Sequence, residues 1–385
     1  MTRRRPSRPA GPHARSGPPA RRDSRTAIDQ VVASAYTVPT DAPESDGTIA
    51  WDSTTLVVAE ATAGGQRGLG YAYGDAAASG LVNRVLAPLV VGTDAMDVAA
   101  AHASMTAALR NIGRPGVGST ALSAVDVALW DLKARRLGRS LASLLGAVRS
   151  GVPVYGSGGF TSYSVPRLQR QLAGWVDDGI TMVKMKVGRD AAADRARVRA
   201  ARRAIGGDAA LFVDANGAHD VKIALAQAEA FAESDVRWFE EPVTSDDLDG
   251  LCLLRRRVPA SMEVAAGEYG WDAWYFARML RASAVDVLQA DATRCGGVTG
   301  FLQAAAVCQA WGRPLSAHTA PHLHAHLCAA VPPARHVEYF HDHVRIERLA
   351  FDGVSAPLRG VLSPDSGRPG LGIELKRRDL ERYRV

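Results

Sequence analysis

The sequence predicts an α/β protein in two parts: an α+β segment, then a closed parallel (β/α) barrel of the TIM type. Three observations point there. Between residues 152 and 340, eight short β-type runs alternate with amphipathic stretches of helical period. The stretch before them, 26–150, lacks that alternation and reads as strands first and helices after. The β-type runs also tend to end in an ionisable side chain, as strands do at the active face of a barrel.

The first element is a charge run. Residues 1–25 hold eight arginines, one acid and five prolines, so they carry +7. The whole chain is +6, which leaves the remainder at −1. A segment so poor in large apolar side chains cannot pack, and we read it as a disordered Arg/Pro-rich tail. It also lacks the apolar stretch of a secretory signal. Residues 27–37 and 54–61 read as strands, with a polar loop between them, and Leu69 to Tyr73 reads as a third. Residues 76–146 read as helices. The clearest is 120–137, where Leu122, Val125, Leu129 and Leu132 share one face after a Ser119 cap.

The eight barrel runs are VPVYGSG, MVKMKVG, ALFVDAN, VRWFEEP, MEVAAGE, AVDVLQAD, RPLSAHT and RHVEYF. Helical stretches at 190–204, 219–233 and 245–257 separate several of them. An open doubly wound sheet would carry a Gly-rich nucleotide turn after its first strand, and GSGGF at 156–160 lacks that spacing. Residues 113–120 (GRPGVGST) imitate a phosphate loop but have no lysine and no strand before them. The domains are therefore 1–25 as tail, 26–150 as the α+β part and 151–344 as the barrel, with 345–385 returning to the first part.

The strand ends carry the chemistry. They supply Lys184 and Lys186, then Asp214 with Asn216, Glu240, Glu268, Asp291, His318 and Glu338. Successive spacings are one strand plus one helix, which gathers these groups at one mouth. The chain has five lysines against 41 arginines, yet two of the five sit two apart in an apolar strand. Period-2 alternation turns both inward. Repulsion and lost water should lower the pKa of at least one, and a lowered lysine can act as a base where arginine cannot. Asp214, Glu240 and Glu268 would repel one another unless a cation neutralised them, and oxygen ligands favour Mg²⁺. Glu241 should point away from Glu240. Asp291 can fix the tautomer of His318, giving an acid–base dyad. His322, His324 and His326 read as packing residues, and Cys295 as structural.

In this order the motifs VKMKVG, FVDANG, WFEEP, AAGE, QADATRCGGVTG, SAHTAPHLHAH and HVEYF resemble the enolase superfamily, in its mandelate racemase subgroup. The resemblance covers nearly all of 26–385. It implies an α+β capping domain on a modified (β/α)7β barrel, and one Mg²⁺ held by Asp214, Glu240 and Glu268. It implies Lys186 as base, with Lys184 steadying the substrate carboxylate. It also implies the His318–Asp291 dyad on the opposite face, and Glu338 hydrogen-bonding that carboxylate. The shared chemistry is removal of the proton α to a carboxylate.

Asn216 and the GSGGFTSYS segment look similar to galactarate/talarate-type dehydratases, so dehydration of a sugar acid to a 2-keto-3-deoxy acid is the expected reaction. Racemisation or epimerisation of a 2-hydroxy acid is the alternative. Cycloisomerases fit less well, because those that resemble this fold use paired lysines without the dyad. The loop 40–53 and the segment Tyr71 to Asp75 are expected to close over the substrate, with Trp51, Tyr71 and Tyr73 contacting the sugar.

The composition excludes other classes. Apolar residues are 47% and charged residues 22%, the balance of a soluble globular chain, and no apolar run approaches the ~18 residues of a membrane span. Four cysteines with no C-x-x-C pair point to a reducing, cytoplasmic setting. A polyanion binder working through the tail arginines is opposed by the −1 body and by the lack of an interleaved aromatic stack, which argues against nucleic acid. The expected partners are a small-molecule carboxylate and further copies of the chain in a homo-oligomer.

Overall fold

The computed structural model describes residues 26–385; the Arg/Pro-rich stretch 1–25 lies outside the described residues. Strands β1 (Gln30–Ser45), β2 (Ala50–Ala63) and β3 (Gln66–Tyr73) form an antiparallel meander. The polar stretch expected to be a loop is instead the far end of the β1–β2 hairpin. Pairing runs from Gln30↔Thr62 to Pro39↔Ser53, breaks at a bulge, and resumes at Glu44↔Trp51. Polar composition hid this because the extension is half-solvated and its proline falls at the irregularity. The turn is set by Asp46, whose Oδ1 accepts the backbone N–H of Thr48 at 2.6 Å and of Ile49 at 2.8 Å. Gly47 is needed there, since a Cβ would come within 2.3 Å of the Ala215 carbonyl oxygen. The hairpin tip thus sits directly on the barrel.

A helix over Val117–Arg136 backs the meander. It begins two residues before Ser119, with Gly116 at the cap position (φ 66°), and the Ser119 hydroxyl donates to the Gly116 carbonyl from inside the first turn. The expected Ser119 cap is therefore wrong, because a left-handed glycine starts the helix earlier. Gly70 lets this helix touch β3, where a Cβ would meet the Ala124 carbonyl oxygen at 2.2 Å.

The barrel strands are β4 (Val152–Gly158), β5 (Met182–Lys186), β6 (Ala210–Asp214), β7 (Val236–Glu240), β8 (Glu263–Ala266), β9 (Val287–Ala290), β10 (Leu315–Ala317) and β11 (Ala334–Phe340). All pair in parallel in chain order, and β11 closes on β4. Seven helices connect them, which makes a (β/α)7β barrel. The seventh, Pro321–Ala330, is buried along its whole length. It contains His322, His324 and His326. His322 meets the Leu371 carbonyl at 2.8 Å, and His324 Nε2 accepts the Ala292 N–H at 2.9 Å, as packing residues do. The C-terminal stretch touches both parts: Val361–Leu362 pairs with the start of β4, and the Val385 N–H donates to Ala35 of β1.

Strand alternation sorts the barrel interior into two layers. Two residues below Asp214 and Glu240 lie Phe212 and Trp238, stacked at 5.3 Å with Tyr155 and His336 against them. The interior is thus aromatic below and charged above.

Candidate functional site

A cavity of about 320 Å³ opens where the hairpin meets the barrel mouth. Its walls include Trp51 and Tyr73 from the cap side and Lys186, Asn216, His318 and Glu338 from the strand ends. The carboxylates Asp214, Glu240 and Glu268 lie together and buried, with one oxygen from each within 4.8 Å of the others. Glu268 Oε2 is a buried acceptor without a hydrogen-bond partner. Three converging carboxylates, one with an oxygen that makes no hydrogen bond and only faces His318 Nε2 at 3.4 Å, fit a hard divalent cation.

Lys186 Nζ stands 2.5 Å from Asp214 Oδ2 and donates to Asn216 Oδ1 at 3.0 Å. Lys184, almost without exposure, stands 2.5 Å from Glu240 Oε1 and 2.8 Å from Glu338 Oε1. Alternation does turn both inward, but the expected lowering of a lysine is not what this geometry gives. Burial alone would lower each; the attraction of Asp214 for Lys186, and of Glu240 and Glu338 for Lys184, outweighs it, and both are raised. Repulsion between the two ammonium groups is real but smaller than the pull of the carboxylates facing them from other strands.

The dyad is assembled. His318 Nδ1 lies 2.8 Å from Asp291 Oδ2, while Asp291 Oδ1 accepts the Thr293 N–H at 2.7 Å. Burial would raise Asp291, but the bond from His318 and the charge of Arg294 hold it below the usual carboxylate range. Burial and Arg294 would lower His318, but Glu268, Asp291 and Glu338 prevail and raise it, so the ring holds a second proton more firmly than a free imidazole does. Glu338 accepts from the Ser157 hydroxyl at 2.6 Å and from the Thr319 N–H at 3.1 Å. Glu240 is pushed up to about 8 by burial and by Asp214, against Lys184. Glu268 is lowered: burial opposes this, and His318 and Arg294 prevail.

The structure does not bring every expected residue to the cavity. Tyr71 is fully buried; its hydroxyl donates to Glu347 at 2.6 Å and accepts from Leu323, away from the cavity. It shares a face with Tyr73 but lies one strand repeat deeper, so only Tyr73 reaches the rim. Tyr73 itself stacks on His343 at 3.4 Å. Trp51 donates its indole N–H to Glu44 and meets Phe160 edge-on. Sequence reasoning missed Arg294, which donates to Glu268 Oε1 at 3.0 Å, lies 3.7 Å from Asp291 and covers the Tyr269 ring. Its place three residues after a strand-end acid was the available signal. Thr319 was also missed. It owes its place to a left-handed backbone (φ 51°) that no composition rule shows.

Two family models match the chain: the mandelate racemase / muconate lactonizing enzyme N-terminal domain over residues 31–146, and the enolase C-terminal domain-like family over 167–380. A mandelate racemase/muconate lactonizing enzyme-like protein from Rubrobacter xylanophilus has a crystal structure that superposes with a TM-score of 0.91 at 54% identity, covering 93% of this chain and all of that one. The 3,6-anhydro-alpha-L-galactonate cycloisomerase of Streptomyces coelicolor is 33% identical over 366 residues, 92% of this chain and 98% of its own. The L-talarate/galactarate dehydratase of Salmonella typhimurium is 32% identical over 281 residues, 72% of this chain and 70% of its own. A crystal structure of that dehydratase with Mg and L-lyxarohydroxamate superposes at a TM-score of 0.87, with 28% identity and 98% of both chains covered. The chain is an enzyme whose relatives include dehydratases and cycloisomerases of sugar acids, and its cofactor is magnesium. It belongs to the mandelate racemase subgroup of the enolase superfamily.

Proposed function

We propose that this enzyme removes the proton α to the carboxylate of a sugar acid and expels the β-hydroxyl as water, giving a 2-keto-3-deoxy acid. One observation carries the reading: Lys186 and the His318–Asp291 dyad face a single cavity beside the Asp214, Glu240 and Glu268 carboxylates. Magnesium held by those three would supply electrostatic stabilisation of the charge that develops on the substrate carboxylate, and would take over the neutralisation that now binds Lys186 to Asp214.

Lys186, as the free amine, takes the proton from the α-carbon. His318, as the imidazolium, gives its Nε2 proton to the departing hydroxyl, while Asp291 keeps hold of the Nδ1–H and stabilises the charged ring. The electron pair of the broken C–H bond becomes the new double bond, and the C–O bond pair leaves with the water; the resulting enol then loses its 2-hydroxyl proton and gains a proton at the β-carbon, giving the keto acid. Lys184, fixed between Glu240 and Glu338, would place positive charge beside the substrate carboxylate, and Glu338 would hydrogen-bond that carboxylate once it takes up a proton, since as the ionised acceptor of Lys184, Ser157 and Thr319 it has none to donate. Asn216, Trp51 and Tyr73 would contact the hydroxylated chain. The hairpin tip and the Tyr73–Gly74 segment, both in the cavity wall, would exclude water. Four unbridged cysteines support a cytoplasmic setting.

A cycloisomerase reading is favoured by the Streptomyces relative, similar over nearly its whole length. It uses the same proton removal with a ring oxygen as leaving group.

The test is deuterium uptake at the α-carbon, read by NMR alongside keto-acid formation, over a screen of open sugar acids and anhydro or lactone forms. Lys186→Met should lose both signals, with a rate fall of ~10²–10⁴. His318→Asn should lose product yet keep some exchange. Wild-type dehydration by His318→Asn refutes the assignment, turnover of cyclic substrates alone selects the cycloisomerase, and exchange with an epimer as sole product selects the racemase.

A further inference from the structure

A second cavity, about 620 Å³, adjoins the catalytic one. The two share Tyr73, Gly74, Asn216, Tyr269 and Arg294 in their walls, so they are lobes of one space. The second lobe runs between the start of the Val117–Arg136 helix and the loop after β7. Its lining mixes apolar surface with the hydroxyls of Ser119, Thr120, Thr244, Ser245 and Tyr275, with Tyr269 at the neck. Its charged groups are Asp75, Glu241, Asp246 and Arg294.

Glu241 is the informative residue. Strand alternation predicts that it points away from Glu240, but the backbone at Glu241 is left-handed (φ 37°) rather than extended, so alternation does not set its direction. It is 1% exposed, lines this lobe, and leaves its Oε1 without a hydrogen-bond partner. A buried carboxyl oxygen without a partner is unfavourable, and a ligand hydroxyl is the group that would satisfy it.

The charge balance decides what kind of ligand end fits. Arg294, the only cation in this lining, already pairs with Glu268. The helix start contributes roughly half a positive charge. Against these stand Asp75 and Asp246, both exposed acids. A second carboxylate would meet net negative charge there, whereas an uncharged polyhydroxylated chain would meet donors and acceptors throughout.

We propose that this lobe is the subsite for the neutral, polyhydroxylated end of the substrate, so that the enzyme selects sugar monoacids over diacids of the same length. The inference rests on the function proposed above. The experiment uses the Mg²⁺-loaded full chain with matched five- and six-carbon monoacids and diacids, and a three-carbon 2-hydroxy acid as the short probe. Calorimetry reads binding, and α-deuterium exchange reads chemistry.

The expected results are at least about tenfold tighter binding of monoacids than of matched diacids, and a Thr244→Trp variant that weakens six-carbon monoacids about tenfold more than the three-carbon probe. Asp246→Lys should move the preference toward diacids, with melting temperature checking that both variants fold. Preference of the native chain for diacids, or an unchanged length dependence in Thr244→Trp, overturns the subsite. Because binding is read without turnover, absence of α-exchange with every acid would sink the proposed reaction and leave the subsite to be judged on calorimetry alone.

Discussion

Two sets of buried carboxylates sit a short way apart in this protein and are held by opposite means. At the barrel mouth, Asp214, Glu268, Asp291 and Glu338 are all lowered despite burial, because Lys184, Lys186, Arg294 and His318 stand among them. At the seam between cap, barrel and C-terminal stretch, Asp126, Asp131 and Glu347 are raised by burial to about 7, about 6 and about 8.

The seam acids are met mostly by hydrogen-bond donors. Asp126 accepts both N–H and hydroxyl of Thr299, Glu347 accepts the Tyr71 hydroxyl, and Asp131 accepts the N–H groups of Leu69 at 2.7 Å and Leu371 at 2.5 Å. Only Asp131 has a cation against it, Arg135 at 2.7 Å. Charges crowded by opposite charges make a reactive centre; acids wrapped in amides and hydroxyls make a joint. Glu240 and its neighbour Glu241 depart from this pattern: both are raised, first by burial and then by the nearby carboxylates, against the lysines.

The sharpest way to break the contrast is to remove magnesium. EDTA should abolish turnover and added Mg²⁺ should restore it, while the unfolding transition persists, because the seam needs no metal. Full activity in thoroughly chelated enzyme would take the metal away from the mouth.

Next in size is the joint itself. Asp131→Ala leaves two buried N–H groups without an acceptor and should lower unfolding free energy by about 3–5 kcal/mol in urea titrations. A loss under about 1 kcal/mol would show that the seam does not depend on this carboxyl.

The third effect is pH dependence, measured with Mg²⁺ saturating. The folded-state pKa values of the seam acids lie above their unfolded values of ~4, so their contribution is complete below about pH 4 and is lost progressively from there up to the folded values of about 6 to about 8. Melting temperature should therefore fall across that window, and Glu347→Gln should flatten the upper part of the fall. An equal fall in the variant would place the titration elsewhere.

The smallest effect expected is that of removing residues 1–25. The strand-end groups named above all lie beyond residue 180 in the sequence, so turnover should not change; a large loss would give the tail a part in the site.

The legible features share a physical cause. Most of the barrel strands were readable because they are short runs with β-branched or aromatic residues bounded by turn residues, and the ionisable groups were readable because they end those runs. Asp214, Glu240 and Glu268 needed only the repeat length to be placed on neighbouring strands, and the structure brings them together. The hairpin was not legible, since its outer pairs are polar and half-solvated. Nor was the start of the Val117–Arg136 helix, which a left-handed Gly116 sets.

By itself the sequence determined the period: which residues alternate inward along a strand, and how far apart successive strand ends fall. Those are local rules, and they hold whatever surrounds the strand. Only the tertiary structure decided the charge states and the shape of the site. Lys186 is raised rather than lowered because a carboxylate from the next strand stands 2.5 Å away. Tyr71 is lost to the seam while Tyr73 reaches the cavity because one strand repeat separates rim from interior. Arg294 joins the mouth because the turn after β9 aims it at Glu268. Electrostatic energy and burial depend on distances between residues far apart in the chain, and no reading of local pattern contains those distances.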